Sequence, residues 1–96
     1  MKLKQAFGRA LKRIRTKKRL TQEDFSDVSS RTYLSTLERG FKSPTIDKVD
    51  DLAKVLGVHP LTITILADCY LEMSNGKTIN ELLREIESEL NSIYER

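Results

Sequence analysis

The sequence predicts an all-α protein: a five-helix domain followed by one extra C-terminal amphipathic helix. Apolar residues recur at three- and four-residue intervals through most of the 96 residues, the spacing that lines one face of a helix. Short breaks divide the chain at Ser29-Ser30, Gly40, Gly57 with His59-Pro60, and Asn75-Gly76. These residue types end or cap helices. A single stretch, Leu61 to Ile65, alternates as a strand would.

The first helix covers about residues 2 to 18, with Leu3, Phe7, Leu11 and Ile14 as its stripe and Ala6 and Ala10 beside them. Thr21 offers a capping oxygen to a second helix starting near Gln22, and Asp24 takes the reciprocal place usually held by glutamate or glutamine. Phe25 and Val28 are its apolar pair. Ser29-Ser30 ends that helix and caps a third, Arg31 to about Arg39, which Gly40 closes in the left-handed conformation. The third helix is divided lengthwise. Tyr33, Leu34 and Leu37 lie on one side, while Arg31, Thr32, Ser35, Thr36 and Arg39 leave a face of hydrogen-bonding groups on the other.

The fourth helix starts at Ser43-Pro44-Thr45, carries Ile46, Val49, Leu52, Ala53 and Leu56 on a helical period, and stops at Gly57. Pro60 opens the fifth, where a missing N–H costs nothing. Leu61 to Ile65 suits a strand as well, but the helical neighbours and the good helix formers from Leu66 to Met73 favour a helix. Leu61, Ile65 and Cys69 mark one apolar face, and Ile63, Leu66, Tyr70 and Met73 an adjoining one. So wide a stripe asks for burial against a second chain or against the last helix. That helix follows the turn at Asn75-Gly76 and a capping box from Thr78 to Glu81. Ile79, Leu82, Leu83, Ile86, Leu90 and Ile93 form its stripe, with Glu85, Glu87 and Glu89 largely outside it. The expected division is a first domain at residues 1–73 and an acidic dimerisation or partner-binding helix at 74–96.

Composition excludes several classes of function. So short a chain has little room for a large catalytic cleft. With one cysteine, Cys69, and one histidine, His59, there is neither a disulfide framework nor zinc-ligand spacing. Nothing resembles a nucleophile with its base, a metal site or a phosphate loop, so neither a cofactor nor enzymatic activity is expected. His59 reads as a turn or capping residue, and Cys69 as a small buried hydrophobe rather than a redox sensor. No continuous apolar segment suits export or a membrane span, which points to a soluble cytoplasmic protein. The net charge of +3 hides a gradient: residues 1–50 hold thirteen basic against six acidic residues, +7, and the remainder four against eight, −4. That asymmetry favours a polyanion near the N-terminal half and leaves the acidic half for another role.

The order and spacing of Phe7-Gly8, Ile14-Arg15, Leu20-Thr21-Gln22-Glu23, Tyr33-Leu34-Ser35, Leu37-Glu38-Arg39-Gly40, Ser43-Pro44, Leu52-Ala53 and Leu56-Gly57-Val58 carry a family resemblance. Over about residues 6 to 66 the chain resembles the Cro and phage-repressor type of helix-turn-helix protein, also called the xenobiotic-response-element family. More loosely, it is similar to the small controller proteins of restriction-modification systems. One departure stands out: Val28-Ser29-Ser30-Arg31 lacks the glycine and apolar residue usual in the turn, and the segment is about two residues shorter than the common pattern. Val28 is expected to supply the apolar plug.

The resemblance implies a transcriptional regulator whose third helix enters the major groove of double-stranded DNA. Arg31, Thr32 and Ser35 then fall where bases are read, with Thr36 as a fourth. Arg31 can donate two hydrogen bonds to guanine O6 and N7, a pairing that discriminates by about 1–3 kcal/mol, and threonine methyls can touch thymine methyls. The blander role for Arg31 is a phosphate or solvent contact. Gln22 would meet a phosphate oxygen at a helix N-terminus, or serve only as a capping partner. Arg39, Lys42 and Ser43 would grip the sugar-phosphate backbone, with Arg19 and Lys18 flanking the same surface. The resemblance also pairs Glu38 with Arg15 in a structural ion pair that turns Arg15 toward the DNA backbone. Tyr33, on the inward side, reads as core rather than as a stacking platform.

A homodimer is expected, because one recognition helix reads few base pairs and a two-fold dimer sets two of them about 34 Å apart. Its interface would draw on Leu61, Ile65, Leu66 and Tyr70 of the fifth helix and Leu83, Ile86 and Leu90 of the last. With no ligand domain, no small-molecule effector is expected. A different class of function is an antitoxin-type protein, binding a small basic partner through Thr78 to Arg96 while repressing its own operon. An RNA-binding regulator ranks lower, since no exposed aromatic platform for bases is evident.

Overall fold

A computed structural model describes residues 1–72 and 75–94. The chain forms five α-helices, α1 (Leu3–Lys17), α2 (Arg31–Glu38), α3 (Ile46–Leu56), α4 (Pro60–Glu72) and α5 (Ile79–Tyr94), with no strand among the described residues. A 3₁₀ turn, Gln22–Phe25, lies between α1 and α2. Met73, assigned above to an apolar face, and Arg96, at the end of the acidic segment, lie outside the described residues.

The expected second helix is the main correction. Only Gln22–Phe25 is helical, and in the tighter 3₁₀ form. The Phe25 carbonyl accepts from both Val28 N–H and Ser29 N–H, each at 2.9 Å, so the backbone turns at once instead of extending a helix. Asp24 Oδ2 closes the N-terminal side by accepting from Thr21 N–H at 2.7 Å. Ser30 Oγ then accepts from Tyr33 N–H at 3.1 Å and caps α2. The short connection leaves no residues for a second full helix. Phe25 is nonetheless fully buried, and the half-buried Val28 packs against the core beneath the turn.

Helix α1 is the spine. Ala6, Phe7, Ala10, Leu11 and Ile14 are buried, and α4 lies along this face with Ile63 and Ala67 fully covered. Burial of Ile63 explains why the β-branched run from Leu61 folds as helix: tertiary packing overrides local propensity. His59 Nδ1 accepts from Leu61 N–H at 3.0 Å and steadies the start of α4. Leu34 and Leu37 of α2, with Leu52 and Leu56 of α3, complete the same core. Two expected stripe members stand outside it: Leu3 is 61 % exposed and Ile46 89 % exposed. Each sits at the first turn of its helix, where the apolar period runs on past the partner that would cover it.

Three helix ends use a left-handed residue. Gly40 has φ 75° and Gly57 φ 71°, but at the end of α1 the position belongs to Arg19, with φ 60°. Arg19 N–H donates to the Thr16 carbonyl and Leu20 N–H to the Arg15 carbonyl, both at 3.0 Å, the paired bonds that close a helix in a Schellman motif. A residue with a Cβ carries a steric cost of about 1–2 kcal/mol in this conformation.

Helix α5 follows its capping box, Thr78 N–H to Glu81 Oε1 at 3.3 Å and Glu81 N–H to Thr78 Oγ1 at 3.1 Å. Leu82 is its single buried residue among those described, whereas Ile79, Leu83, Leu90 and Ile93 are exposed. The helix is thus anchored at one point and presents most of its stripe to solvent.

Gly8 marks a close approach of α1 to the end of α2. A Cβ there would fall on the Leu37 and Glu38 carbonyl groups at the end of α2. Gly8→Ala is therefore expected to lower unfolding free energy by about 2 kcal/mol, from the range for overpacked sites, although alanine favours helix. Urea denaturation followed by circular dichroism measures it, and an unchanged midpoint would show that α1 and α2 can separate freely.

Candidate nucleic-acid interface

Helix α2 is fixed from behind by Leu34 and Leu37, both fully buried, which turns its polar side outward. Thr32, Ser35, Thr36 and Arg39 line a shallow depression with Arg31, and Gln22 contributes its edge from the 3₁₀ turn. Arg31 and Thr32 are exposed, and Ser35 and Thr36 half-exposed. The Thr36 hydroxyl donates to the Thr32 carbonyl at 2.8 Å, so its proton is committed and its lone pairs remain to accept. All four expected base-reading residues therefore share one surface with Gln22 and Arg39.

At one end, Arg31, Gln22, Arg15, Thr21 and Glu23 line an adjoining hollow. The Arg31 guanidinium lies 3.7 Å from Glu23 Oε1, with the two side chains 72 % and 79 % exposed. Such a pair is weak and screened. Sequence reading missed Glu23, because the contact crosses the turn and depends on the shortened connection.

Arg15, which lines this hollow, makes a well-ordered polar contact with Glu38. Arg15 Nε donates to Glu38 Oε2 at 2.6 Å and a terminal nitrogen to Oε1 at 3.0 Å, a two-pronged ion pair with the side chains only 13 % and 4 % exposed. The other terminal nitrogen of Arg15 donates to the Leu20 carbonyl at 3.0 Å. The hydrogen bond to Glu38 raises the Arg15 pKa further above neutrality, against the opposing effect of burial. Gln22 Nε2 also donates to Glu38 Oε1, at 3.2 Å. This amends the picture of Gln22 as an amide at the head of an α-helix: it heads a four-residue 3₁₀ turn and is held by Glu38.

The remaining residues spread along the edges. Arg39 stacks its guanidinium 4.6 Å from the centre of the Phe41 ring, a cation–π contact that orients it. Lys42 and Ser43 are exposed in the segment after α2, and Arg19 is exposed beyond the end of α1. Ser43 faces a different groove, bounded by Leu3, Phe7, Ile46 and Thr64, and is not part of the α2 depression. Tyr33 is half-buried against the core with the Lys48 ammonium 5.9 Å above its ring, and Lys48 also donates to the Val28 carbonyl.

Of the expected dimer residues, Leu61, Leu83 and Leu90 are exposed, while Ile65, Leu66, Tyr70 and Ile86 are half-buried. Cys69 is half-buried rather than buried. Burial and the neighbouring Asp68 push its thiol pKa up, which disfavours the reactive thiolate.

Removing Glu38 would strand Arg15 without its partner. Glu38→Ala is expected to destabilise the protein by about 3 kcal/mol, the low end for breaking a buried pair. Thermal and urea melts measure the loss; a change below about 0.5 kcal/mol, the surface-substitution range, would show that the pair is incidental.

The comparisons with known proteins agree with this fold. A helix-turn-helix family model matches residues 11–63, ending inside α4. The chain is 37% identical over 70 residues to an uncharacterized HTH-type transcriptional regulator, y4dJ, of Sinorhizobium fredii, a match covering 71% of this chain and 91% of that protein. It is 35% identical over 69 residues to the control protein C.BamHI of Bacillus amyloliquefaciens, covering 66% and 85% respectively. The fold is shared with the clp gene regulator ClgR of Corynebacterium glutamicum, at a TM-score of 0.73 over 100% of this chain and 98% of that one, with 22% identity. With more than half its length inside the family model and curated relatives matched over most of theirs, the chain belongs to the helix-turn-helix family of Cro and phage-repressor type, a family of DNA-binding transcription regulators.

Proposed function

We propose that this protein is a sequence-specific regulator, a repressor or autoregulator, that inserts α2 into the major groove of double-stranded DNA as a cytoplasmic homodimer. The observation that carries the reading is the gathering of Arg31, Thr32, Ser35 and Thr36 on one face of a helix whose other face is locked in the core. In this reading those four address base edges, with Arg31 on a guanine. Arg15, Arg19, Gln22, Arg39, Lys42 and Ser43 address phosphates. Arg15 would do so indirectly committed to Glu38, offering the outer edge of its guanidinium. No single helix is long and apolar enough to cross a membrane among the described residues.

Residues 1–73 form the reading unit, and residues 74–96 with the outer side of α4 form the dimer contact. The apolar residues left uncovered support this: Leu61 and Leu90 are each 58 % exposed, and Leu83 41 %. Exposed apolar surface of this kind marks an interaction site. The same surface supports a second reading, in which a small basic protein covers the acidic α5 in the manner of a toxin on its antitoxin. Co-purification of such a protein with the native chain favours the second reading, and a stable homodimer in its absence favours the first.

Arg31→Ala is expected to abolish a discrete footprint upstream of the protein's own gene, lowering specific affinity by about 1–3 kcal/mol while salt-sensitive non-specific binding persists. A retained footprint would remove Arg31 from base reading. If about five phosphates are neutralised, the logarithm of affinity falls with log salt at a slope of about −4 to −5.

Arg19→Gly separates function from folding by sign. Relief of the left-handed strain should raise stability by about 1 kcal/mol, while loss of the cation weakens DNA binding severalfold. Melting and electrophoretic mobility-shift assays on the same variant read both; equal DNA affinity would exclude Arg19 from the phosphate contacts.

A further inference from the structure

We infer that Phe41 is a positioning residue for DNA binding: its ring holds the Arg39 guanidinium ready for a backbone phosphate beside the C-terminal end of α2. This rests on the reading of Arg39 as a phosphate contact and goes beyond it by assigning an uncharged side chain that acts through Arg39.

The way α2 ends puts the ring there. Gly40 N–H donates to the Leu37 carbonyl at 3.0 Å and Phe41 N–H to the Thr36 carbonyl at 3.1 Å, the paired bonds of a Schellman motif, with Gly40 at φ 75°. The residue in the place of Phe41 commonly packs on an apolar residue third or fourth from the end of the helix. In α2 these are Thr36 and Ser35, polar side chains that line the depression. The ring therefore lacks its usual apolar partner. It is 58 % exposed and takes no part in the core. Nor can this corner draw back, because a Cβ on Gly40 would lie 2.8 Å from the Gln5 Cα at the start of α1.

What the ring meets is Arg39. The guanidinium carbon lies 4.6 Å from the ring centre, and Arg39 pairs with no carboxylate among the described residues. A guanidinium lying over an aromatic face keeps its N–H groups, which point outward in its own plane, free for an acceptor. Position along the helix makes that acceptor a phosphate. Bases are read from the N-terminal end of a recognition helix. Arg39 stands more than two turns beyond Arg31, about 12 Å along the axis, and so falls at the edge of the groove.

The ring's contribution is to restrict Arg39 before DNA arrives. An exposed arginine samples many rotamers, and freezing it on a phosphate opposes binding. A guanidinium already held over a ring loses less freedom at that step. Removing the ring should therefore weaken binding without removing the phosphate contact, whereas removing Arg39 should do both.

The test is a double-mutant cycle in the full chain, read as affinity for a mixed-sequence duplex across a salt series, because a phosphate contact acts alike on every sequence. Arg39→Ala should lower affinity and make the slope of log affinity against log salt shallower by about 0.9. Phe41→Ala should lower affinity about three- to tenfold at an unchanged slope, since the same number of phosphates is neutralised. Phe41→Leu, which keeps apolar bulk without the ring, should behave like Phe41→Ala. In the Arg39→Ala background, Phe41→Ala should change affinity by less than about twofold, the coupling expected of residues that act as a unit. Thermal melts of the Phe41 variants should stay within the range of surface substitutions.

Losses that add in the double variant would overturn the inference, because the ring would then touch DNA or hold the loop by itself. Full affinity in Phe41→Leu would overturn it in favour of apolar bulk. Unchanged affinity in Arg39→Ala would remove Arg39 from the phosphate contacts and the inference with it, leaving the reading face of α2 to the Arg31 footprint. If the unaltered chain bound no duplex, the DNA-binding reading itself would fall.

Discussion

The contact on which the rest of the architecture depends is the two-pronged bond between Arg15 and Glu38. One carboxylate, 4 % exposed, receives the guanidinium of α1 and the Gln22 amide of the 3₁₀ turn, while the same guanidinium fastens the Leu20 carbonyl of the connecting segment. Helix α1, the connecting segment, the 3₁₀ turn and α2 are thereby referred to one point. A buried ion pair adds little net stability over apolar groups of the same shape, since desolvation offsets its attraction. Its contribution is positional. Apolar contacts among Leu11, Leu34 and Leu37 tolerate sliding by a fraction of a turn, whereas a bidentate arginine–carboxylate bond fixes both distance and orientation. Gly8 supplies the other half of the constraint, letting the backbone of α1 come against the carbonyls that end α2.

Much of this fold is legible in the sequence because it is local. Ser30 capping α2, Gly40 and Gly57 in left-handed conformations, and the Thr78 to Glu81 box depend on a few neighbouring residues. The 3₁₀ turn is not legible, since Phe25 and Val28 at a spacing of three fit one turn of either helix type. What decides between them is the length of chain left before Ser30. Leu3 and Ile46 mislead for a related reason: an apolar period says which way a residue faces and nothing about whether a partner extends that far. Arg19 escapes the rule that expects glycine at a helix end, and Glu23 is joined to Arg31 only through the folded turn. The grouping of Arg31, Thr32, Ser35 and Thr36 needed just the period of one helix.

Helix α1 has three separate duties distributed around its circumference. Phe7, Leu11 and Ile14 face the core, Arg15 and Gly8 face α2, and Arg9, Arg13 and Lys17 face solvent. The charge excess of the first half of the chain is therefore two populations, not one. Arg31 and Arg39 line the depression of α2, while the outer row of α1 lies on another side. Net charge alone does not distinguish the two.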